Sequence, residues 1–337
     1  MLSRVAESLY WMSRYIERAE NTARLLDVNL QILIDFTGFM EGDESGFWEA
    51  VVSSTGEEER FREAYDEITG DSVTEFLTFD RDNPGSILSS VYAARENARM
   101  IRDQISFEMW ECINELYHFV RDGSTDEILR SDVSEFFDQV KAFSHRFQGL
   151  TGSTYMQGDG FKFMEIGKYV ERADQTSRII DIKYFMVLPK GADVGGTVDV
   201  AGWMAVLRSC SALDDFHSRY LDEIYSWNAA EFLLLNRRFP RSFVFSVRQV
   251  DKNLRALSGT PQGLFTNEPE KLAGRLHGEL TYSTISEIFE SGLHEYIDLL
   301  QQRLITLHEA IAAEFFEIPY LDIEAEIQHQ RAWFGQG

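Results

Sequence analysis

The stretch RYIERAENTARLLDV, residues 14–28, decides how this chain folds, because a near copy, KYVERADQTSRIIDI, stands at residues 168–182. When Tyr15–Val28 is set against Tyr169–Ile182, seven of the fourteen pairs are identical and the other seven are conservative. Chance similarity between two helices reproduces an apolar pattern, but it rarely reproduces a Glu-Arg pair followed by another Arg at the same spacing. The two stretches therefore indicate an internal duplication with an offset of 154 residues.

The alignment continues beyond this helix at an offset of 156 residues. NPGSILSSVYAARENAR, from Asn83, falls on FPRSFVFSVRQVDKNLR, from Phe239, and EFL at 75–77 falls on EFL at 231–233. A constant register over so long a segment is typical of two homologous halves. We therefore expect an all-α protein of two duplicated helical bundles, packed as one compact unit, with a first repeat at 1–150, a second repeat at 151–318 and a C-terminal tail at 319–337.

Residue choice favours helices throughout. Only 6 prolines interrupt the chain, the stretches between them are rich in good helix formers, and no period-2 pattern of useful length predicts a strand. Turn-rich segments predict breaks at 148–153, 188–197 and 258–269. The periodicity predicts long helices over 2–36, 47–69, 86–121, 126–148, 160–188, 200–225, 241–258 and 281–317, with shorter pieces around 72–80 and 228–237.

Composition excludes several classes of protein. The net charge of −24 disfavours DNA or RNA as a partner, because phosphate binding needs a clustered positive field. Cys112 and Cys210 are too few for a disulfide framework and too far apart for a CxxC motif. The sequence shows no signal-peptide pattern and no apolar run of about 18 residues. We expect a soluble, cytoplasmic protein that does not span a membrane.

The repeated helix has two faces when its residues are placed at 100° intervals. One face is an apolar stripe that docks the helix into its own half. The other carries a Glu–amide–Arg centre in both copies, and Ser13 and Gly167 beside it permit close approach of another backbone. We therefore predict a polar seam where the two halves meet. Its members are Glu17, Asn21, Arg24, Glu171, Gln175 and Arg178.

Two interpretations of this seam remain open. Buried ion pairs are weak evidence for stability, so the repeated set either fixes the register between the halves or also binds a charged ligand. On the first interpretation, Glu20/Arg24 and Asp174/Arg178 are plain i,i+4 helix pairs, each worth only a few tenths of a kcal/mol. If the seam is real, we expect Glu17→Gln and Glu171→Gln to disturb stability or activity more than Glu20→Gln, and equal, negligible effects would show an ordinary surface stripe.

Arginines in later helices and loops are further candidates for an anion site, since guanidinium groups bind carboxylate and phosphate bidentately. The segment AARENARMIR contains Arg95, Asn97 and Arg99, and the last two recur as Asn253 and Arg255. The segment NRRFPRS concentrates Arg237, Arg238 and Arg241 in what we predict to be an exposed basic patch.

Catalytic and metal motifs are nearly absent. No HExxH, Walker loop, GxGxxG or GxSxG is present. A dimetal helical bundle needs E-x-x-H on two helices; Glu115–His118 supplies one such motif and an aspartate variant ends at His217, but neither recurs at the repeat offset. Cys112 and Cys210 have no neighbouring base. We predict no metal site and no cofactor.

Several long motifs resemble the bacterial alpha-E family, all-helical proteins named for a Glu-Arg motif. They are LSRVAESLYWMSRYIERAENTARLL, GDGFKFMEIGKYVERADQTSRIID and NPGSILSSVYAARENARMIRDQIS, and the resemblance covers roughly residues 1–315. Both ERA copies are intact, so the resemblance implies that Glu17, Arg18, Glu171 and Arg172 are the motif residues. Members are typically encoded beside a circularly permuted ATP-grasp protein and a transglutaminase-like cysteine protease, which implies a shared pathway of amide-bond formation or peptide modification.

Three functions are compatible with these observations. The first is a non-catalytic accessory or binding partner of the ATP-grasp ligase, holding an acidic or peptidic substrate through arginines. The second is an enzyme that uses Glu17 and Glu171 as acid and base, and a weaker third is the dimetal bundle. A binding protein should have a closed, internally satisfied seam, whereas an enzyme should have a pocket into which the carboxylates converge. The sequence sets no oligomeric state.

Overall fold

Two long helices, α1 (Ser3–Phe36) and α9 (Asp159–Phe185), lie side by side at the centre of the protein. The structure is a computed structural model that describes residues 1–36, 44–130, 133–185, 195–220 and 223–317. Contacts advance together along the two helices, from Tyr10 beside Gly167 to Glu17 beside Arg172, so the helices run in parallel. No glycine or proline interrupts α1, which is about 50 Å long at the usual rise per residue.

Each central helix has its own set of neighbours. The first part of the chain supplies α2 (Glu44–Thr55), α3 (Glu58–Ala64), α4 (Gly70–Thr78), α5 (Ile87–Met100), α6 (Phe107–Arg121), α7 (Thr125–Arg130) and α8 (Val133–Thr154). The second part supplies α10 (Thr197–Ser209), α11 (Leu213–Tyr220), α12 (Ser226–Leu235), α13 (Phe243–Ser258), α14 (Glu268–Tyr282), α15 (Ile285–Ser291) and α16 (Leu293–Phe315).

The packing follows the same plan around both central helices. Helices α5 and α8 pack against α1, while α13 and α16 pack against α9. Helix α2 packs against α9, and α10 packs against both central helices. The all-α prediction is confirmed, and no strand occurs in the part of the chain that the structure describes. In that part, no helix combines the length and the apolar character needed to cross a bilayer.

Two equivalent turns place residues against the central helices. Ser86 caps the N-terminus of α5 by accepting a hydrogen bond from Ser89 N, and Ser242 caps α13 by accepting one from Phe245 N. Serine is a preferred N-cap because its hydroxyl satisfies a free amide of the first turn. The residues just before the two caps, Gly85 and Arg241, are therefore held beside the central helices.

Several predicted boundaries were wrong. The segments 47–69, 86–121 and 200–225 each form two helices rather than one, and the segment 281–317 contains the end of α14 together with α15 and α16. The break predicted at 148–153 is helical, because Phe147 and Thr151 continue the buried face of α8 while its glycines face open space. Helix α14 was missed, although Asn267 caps it by accepting a hydrogen bond from Glu270 N. Most of the predicted connection at 188–197 lies outside the described residues.

Candidate functional site

The Glu171 carboxylate, on α9, is completely buried and is held by two arginines of α1. Arg18 donates from Nε to Oε1 at 2.6 Å and from Nη2 to Oε2 at 3.0 Å, a bidentate pair. Arg14 donates from Nε to Oε2 at 2.9 Å, and Gln175 adds an amide donor at 3.2 Å. Charge-assisted contacts of this number leave the carboxylate fully satisfied.

The Glu17 carboxylate, on α1, has a reciprocal arrangement and is also completely buried. Arg172 donates from Nε to Oε1 at 2.7 Å and from Nη2 to Oε2 at 2.8 Å. Arg241 donates to Oε1 at 3.3 Å, as does the Asn21 amide. Each Glu-Arg motif therefore supplies the carboxylate for the arginine of the other motif.

The two helices can exchange these partners because their backbones come very close one turn earlier. A β-carbon added at Gly167 would overlap the carbonyl oxygen of Tyr10, and it would also approach the Tyr10 Cα. Ser13 is buried on the same face of α1. Small residues at this crossing therefore bring the motifs within reach of each other.

A third carboxylate, Glu20, extends the buried network. Arg24 donates to its Oε1 from Nε at 3.0 Å and from Nη2 at 2.8 Å, Ser144 donates to Oε2 at 2.6 Å, and Arg241 forms a further ion pair. His145 lies 3.2 Å from Oε1. The i,i+4 pair of Glu20 with Arg24 is present, but Glu20 is fully buried and has further partners, so it is more than a plain helix pair. The expectation that Glu20→Gln would be milder than Glu17→Gln loses its basis.

The network keeps the Glu171 and Glu20 carboxylates ionised. Burial alone would raise the pKa of Glu171, but Arg18 and Arg14 lower it to about 2. Burial likewise opposes ionisation of Glu20, yet Arg241, His145 and Arg24 hold its pKa well below its ordinary value. A carboxylate of so low a pKa carries no proton at neutral pH and is a poor general base, since an effective catalytic pKa lies near the working pH.

The other predicted seam residues lie around this network with different partners. Arg24 also contacts Ser211, while Arg178 pairs with Asp174 at 2.8 Å and donates to the Thr55 carbonyl at 3.1 Å. Arg24 and Arg178 therefore do not link α1 to α9 directly, which the stripe pattern had suggested. Arg18 and Arg172 make that link.

The arginines and amides predicted in α5 and α13 are not part of the seam. Asn97 and Asn253 donate to carbonyl groups of their own helices. Arg99 is exposed and pairs with Glu96. The two remaining candidates bind within their own halves: Arg95 contacts Asn114 and the Tyr117 ring, and Arg255 contacts Asp251 and two carbonyl groups of the 259–267 loop.

Arg241 was missed as a seam residue. Sequence reasoning placed it in an exposed basic patch with Arg237 and Arg238, which are indeed exposed, but Arg241 itself is buried. Thr176 Oγ1 donates to the Arg241 carbonyl at 2.9 Å and so fixes this turn against α9. One signal was available, because Arg241 stands directly before the helix cap Ser242 while its neighbours precede the turn. Arg14 was also missed, since it lies beside the predicted stripe.

A polar cavity of about 160 Å³ adjoins the seam. Helices α1, α2, α4 and α9 surround it, together with the turn before α5. We call it the Gly85 cavity. The wall residues that carry its chemistry are Arg18, Glu57, Gly85, Asp174, Gln175 and Arg178. Three of the predicted site residues, Arg18, Gln175 and Arg178, thus face one cavity.

The two cysteines and the E-x-x-H residues do not form a reactive site in the described part of the chain. Burial raises the pKa of Cys112 to about 11 and that of Cys210 to about 12, so neither thiol ionises at neutral pH. Glu115 pairs with Arg146 at the surface, and neither it nor His217 joins a metal-ligating group among the described residues. The predicted dimetal motifs are therefore not assembled.

One group of side chains in the described residues is suited to a divalent metal. Asp181, His294 and Asp298 bring one ligating atom each within 4.8 Å of one another. Asp181 Oδ1 lies 2.7 Å from His294 Nδ1, and Asp298 Oδ2 lies 3.7 Å from His294 Nε2. The group adjoins a cavity of about 350 Å³ lined by Tyr184 and Trp203. It is distinct from the seam, and the sequence did not predict it.

Comparisons with known proteins identify relatives of this chain. An uncharacterized protein of Mycobacterium bovis is 26% identical over 330 residues, which cover 91% of this chain and 35% of the relative. Two uncharacterized proteins of Mycobacterium tuberculosis, from strains CDC 1551 and H37Rv, are 26% and 25% identical with the same coverage. The chain thus spans about a third of the length of these relatives. No solved structure matches it.

The family comparison covers nearly all of the described residues. The Alpha-E family, described as a predicted alpha-helical domain with a conserved ER motif, matches residues 1–316. The Glu-Arg pairs 17–18 and 171–172, which exchange partners between α1 and α9, both lie within this match. The chain belongs to the Alpha-E family.

Proposed function

We propose that this chain is a non-catalytic binding protein. The observation that carries this proposal is the state of the motif carboxylates: Glu17 and Glu171 are completely buried, and each accepts hydrogen bonds from two guanidinium groups. Groups so enclosed cannot reach a substrate. Their arrangement explains the repeated motif as a device that fixes the register of two helices.

An enzyme that used Glu17 and Glu171 as acid and base is less consistent with these contacts. Proton transfer by Glu171 would require a proton on a carboxyl whose pKa is about 2, and the nearest cavity is lined by its arginine partner Arg18 rather than by the carboxylate itself. Proton transfer also needs hydrogen-bond reach to the reacting group.

We further infer that the chain arose by duplication, with a first repeat at 1–150, a second at 151–318 and a tail at 319–337. The equivalent packing of α5 on α1 and of α13 on α9 supports this inference, as does the reciprocal pairing of the two motifs. The residues from 318 onward lie outside the described part.

The partners in this proposal are a circularly permuted ATP-grasp protein and a transglutaminase-like protein, acting together in the cytoplasm on a peptide or an amide bond. This assignment is supported by the family membership and by the two buried thiols, which suit a reducing compartment. The role of the chain is to bring the ligase and its substrate together.

Co-purification of the chain with its ATP-grasp partner, followed by measurement of ATP turnover, tests the proposal. We expect a stable complex whose ATP turnover on peptide substrates rises when the chain is present. The variant Glu17→Gln should lower complex formation only as far as it lowers the fraction of folded protein. Absence of a complex together with unchanged ATP turnover would sink the accessory role.

A further inference from the structure

The side chain of Arg241 occupies a polar site of its own within the seam. Its Nη1 donates to Asn21 Oδ1 at 2.7 Å and to Glu17 Oε1 at 3.3 Å, and its Nη2 pairs with Glu20. The guanidinium is buried, and two carboxylates and one amide oxygen accept its hydrogen bonds. The space beside Glu20 that Arg241 fills is called the Arg241 site below.

The Gly85 cavity lies beside the turn of the first repeat that aligns with the Arg241 turn of the second repeat. In the alignment at an offset of 156, Gly85 falls on Arg241, so the cavity is lined by a residue without a side chain at the point where the Arg241 site has a guanidinium. At the offset of 154, the cavity residues Asp174 and Gln175 fall on Glu20 and Asn21. Two of the three acceptors that hold Arg241, Glu20 and Asn21, therefore have counterparts in the cavity wall, whereas Glu171, the counterpart of Glu17, does not line it.

The cationic parts of the two walls also correspond. Arg178, in the cavity wall, donates from Nη1 to the Thr55 carbonyl, and its counterpart Arg24 donates from Nη1 to Ser211, which is the residue aligned with Thr55. Arg18 lines the cavity. Its counterpart Arg172 binds Glu17 and also donates from Nη1 to the Pro240 carbonyl at 3.4 Å, in the turn that carries Arg241. The arginines beside the two sites thus occupy aligned positions in the two repeats.

A guanidinium fits between such arginines when carboxylates lie with them. Arg241 shows this directly, since it is held in its site beside Arg24 and Arg172 by Glu17 and Glu20. In the cavity, Asp174 provides the equivalent carboxylate, and its side chain is one methylene shorter, which leaves more room. Glu57 adds a second carboxylate to the wall.

We propose that the Gly85 cavity receives the guanidinium of an arginine side chain supplied by a bound polypeptide. Planar guanidinium groups match carboxylate acceptors in a fork geometry that ammonium groups cannot reproduce. At about 160 Å³ the cavity is smaller than pockets for drug-sized ligands, which begin near ~300 Å³, so only the end of a side chain enters. The inference rests on the proposed binding function and names the group that is bound.

Direct titration of the isolated chain with small arginine derivatives tests this inference. The probes are Nα-acetyl-arginine amide, its neutral isostere Nα-acetyl-citrulline amide, Nα-acetyl-lysine amide and free L-arginine, followed by calorimetry and by amide NMR shifts of Gly85. We expect saturable binding of the arginine amide and roughly ten- to a hundredfold weaker binding of the citrulline amide, the factor associated with charged hydrogen bonds. The lysine amide should be intermediate.

Two variants locate the binding. Gly85→Arg supplies an internal guanidinium in the manner of Arg241, and the backbone at Gly85 accepts an L-residue because its φ is not positive and a β-carbon meets only the Asn83 Oδ1 at 3.2 Å. This variant should abolish binding of the arginine amide. Gly149→Arg is the matched control, since it adds the same charge at an open surface of α8 and should bind as the parent chain does.

The results distinguish an arginine side chain of a polypeptide from free arginine, and they test this inference separately from the proposed function. Tighter binding of free L-arginine than of the arginine amide supports the guanidinium site and assigns it to the free amino acid instead of a polypeptide. No saturable binding of either arginine probe, equal binding of the citrulline amide, or undiminished binding by Gly85→Arg would overturn the inference. Failure of the ATP-grasp protein to associate affects only the proposed function, because this titration uses the chain alone.

Discussion

The Arg241 site and the Gly85 cavity have several aligned wall residues of similar chemistry, yet the chain fills one and leaves the other open. Beside Glu20 the guanidinium of Arg241 completes the ion-pair network, whereas beside Asp174 the aligned residue is Gly85 and a cavity of about 160 Å³ takes its place. Burying a charge is costly unless a partner neutralises it. The repeated motif therefore forms two cation sites, and Arg241 of the same chain occupies one of them.

Emptying the Arg241 site should have the largest effect of the changes considered. Arg241→Gly removes the partner shared by two fully buried carboxylates, Glu17 and Glu20, and breaking one side of a buried pair typically costs about 3–5 kcal/mol. Urea unfolding followed by circular dichroism measures this loss. Millimolar ethylguanidinium should restore part of it, because a ligand that binds only the folded state stabilises that state.

The control for this change lies in the same segment. Arg238→Gly removes an exposed arginine three residues earlier and should leave the urea midpoint unchanged. Equal destabilisation by Arg238→Gly and Arg241→Gly, or an Arg241→Gly variant as stable as the parent chain, would contradict the assignment of Arg241 to the seam.

Neutralising a seam carboxylate should cost slightly less, because an amide still accepts one hydrogen bond. Glu171→Gln leaves Arg14 and Arg18 without a counter-charge and should lower the free energy of unfolding by about 3 kcal/mol. Glu20→Gln should cost a similar amount, since Glu20 is equally buried. Glu58→Gln, in a half-exposed surface pair with Arg62, should change it by less than about 0.5 kcal/mol. A Glu20→Gln effect as small as that of Glu58→Gln would show that Glu20 is not part of the stabilising network.

The same network sets the acid limit of stability. The pKa of Glu171 is lowered from 4.5 to about 2 in the folded protein, and that of Glu20 is also well below its ordinary value. Between these values the unfolded state binds more protons, so stability is fully present above about pH 4.5 and is lost as pH falls towards 2. In urea titrations from pH 5 to pH 2, the parent chain should lose stability more steeply than Glu171→Gln does; parallel curves would contradict this assignment.

Much of the fold was predictable because it depends on local pattern. The duplication pattern of the sequence and the apolar periodicity predicted the two central helices, and α1 and α9 match the predicted spans 2–36 and 160–188 over the described residues. Interruptions within longer helical patterns were not predicted. Residues 101–106 separate α5 from α6 without a glycine or proline, so the usual helix-breaking residues do not mark where the first helix ends.

The site was predictable only in part, for a similar reason. Periodicity places Glu17 and Glu171 on one face of each helix, but it cannot tell which arginine reaches them, because long side chains can reach across to neighbouring helices. Arg241 comes from a turn 224 residues away from Glu17 in sequence. Its position directly before the helix cap Ser242 sets it apart from Arg238, but the letters NRRFPRS do not show which helix that turn packs against.

Close packing of the central helices predicts a smaller effect. Gly167→Ala places a β-carbon against the Tyr10 carbonyl and forces α1 and α9 apart at the turn that precedes both motifs. Overpacking of this kind typically costs about 1–3 kcal/mol. Thermal unfolding measures it, and Gly152→Ala on the open face of α8 is the control, which should be neutral or stabilising. Equal melting temperatures for the two variants would contradict the close approach.

Filling the Gly85 cavity should change stability least of all. Gly85→Arg adds a guanidinium beside Asp174 and Glu57, so its charge is compensated, but it must displace the Asn83 side chain by a few tenths of an ångström. These effects oppose each other, and we expect a net change within about 1 kcal/mol in urea unfolding, against the several kcal/mol expected for Arg241→Gly. Gly85→Glu is the charge-reversed control: it places a third carboxylate beside Asp174 and Glu57 and should destabilise the protein more than Gly85→Arg does. The opposite ranking would mean that the cavity favours anions. The Gly85 cavity would then resemble the Arg241 site in its aligned residues but not in the charge that it binds.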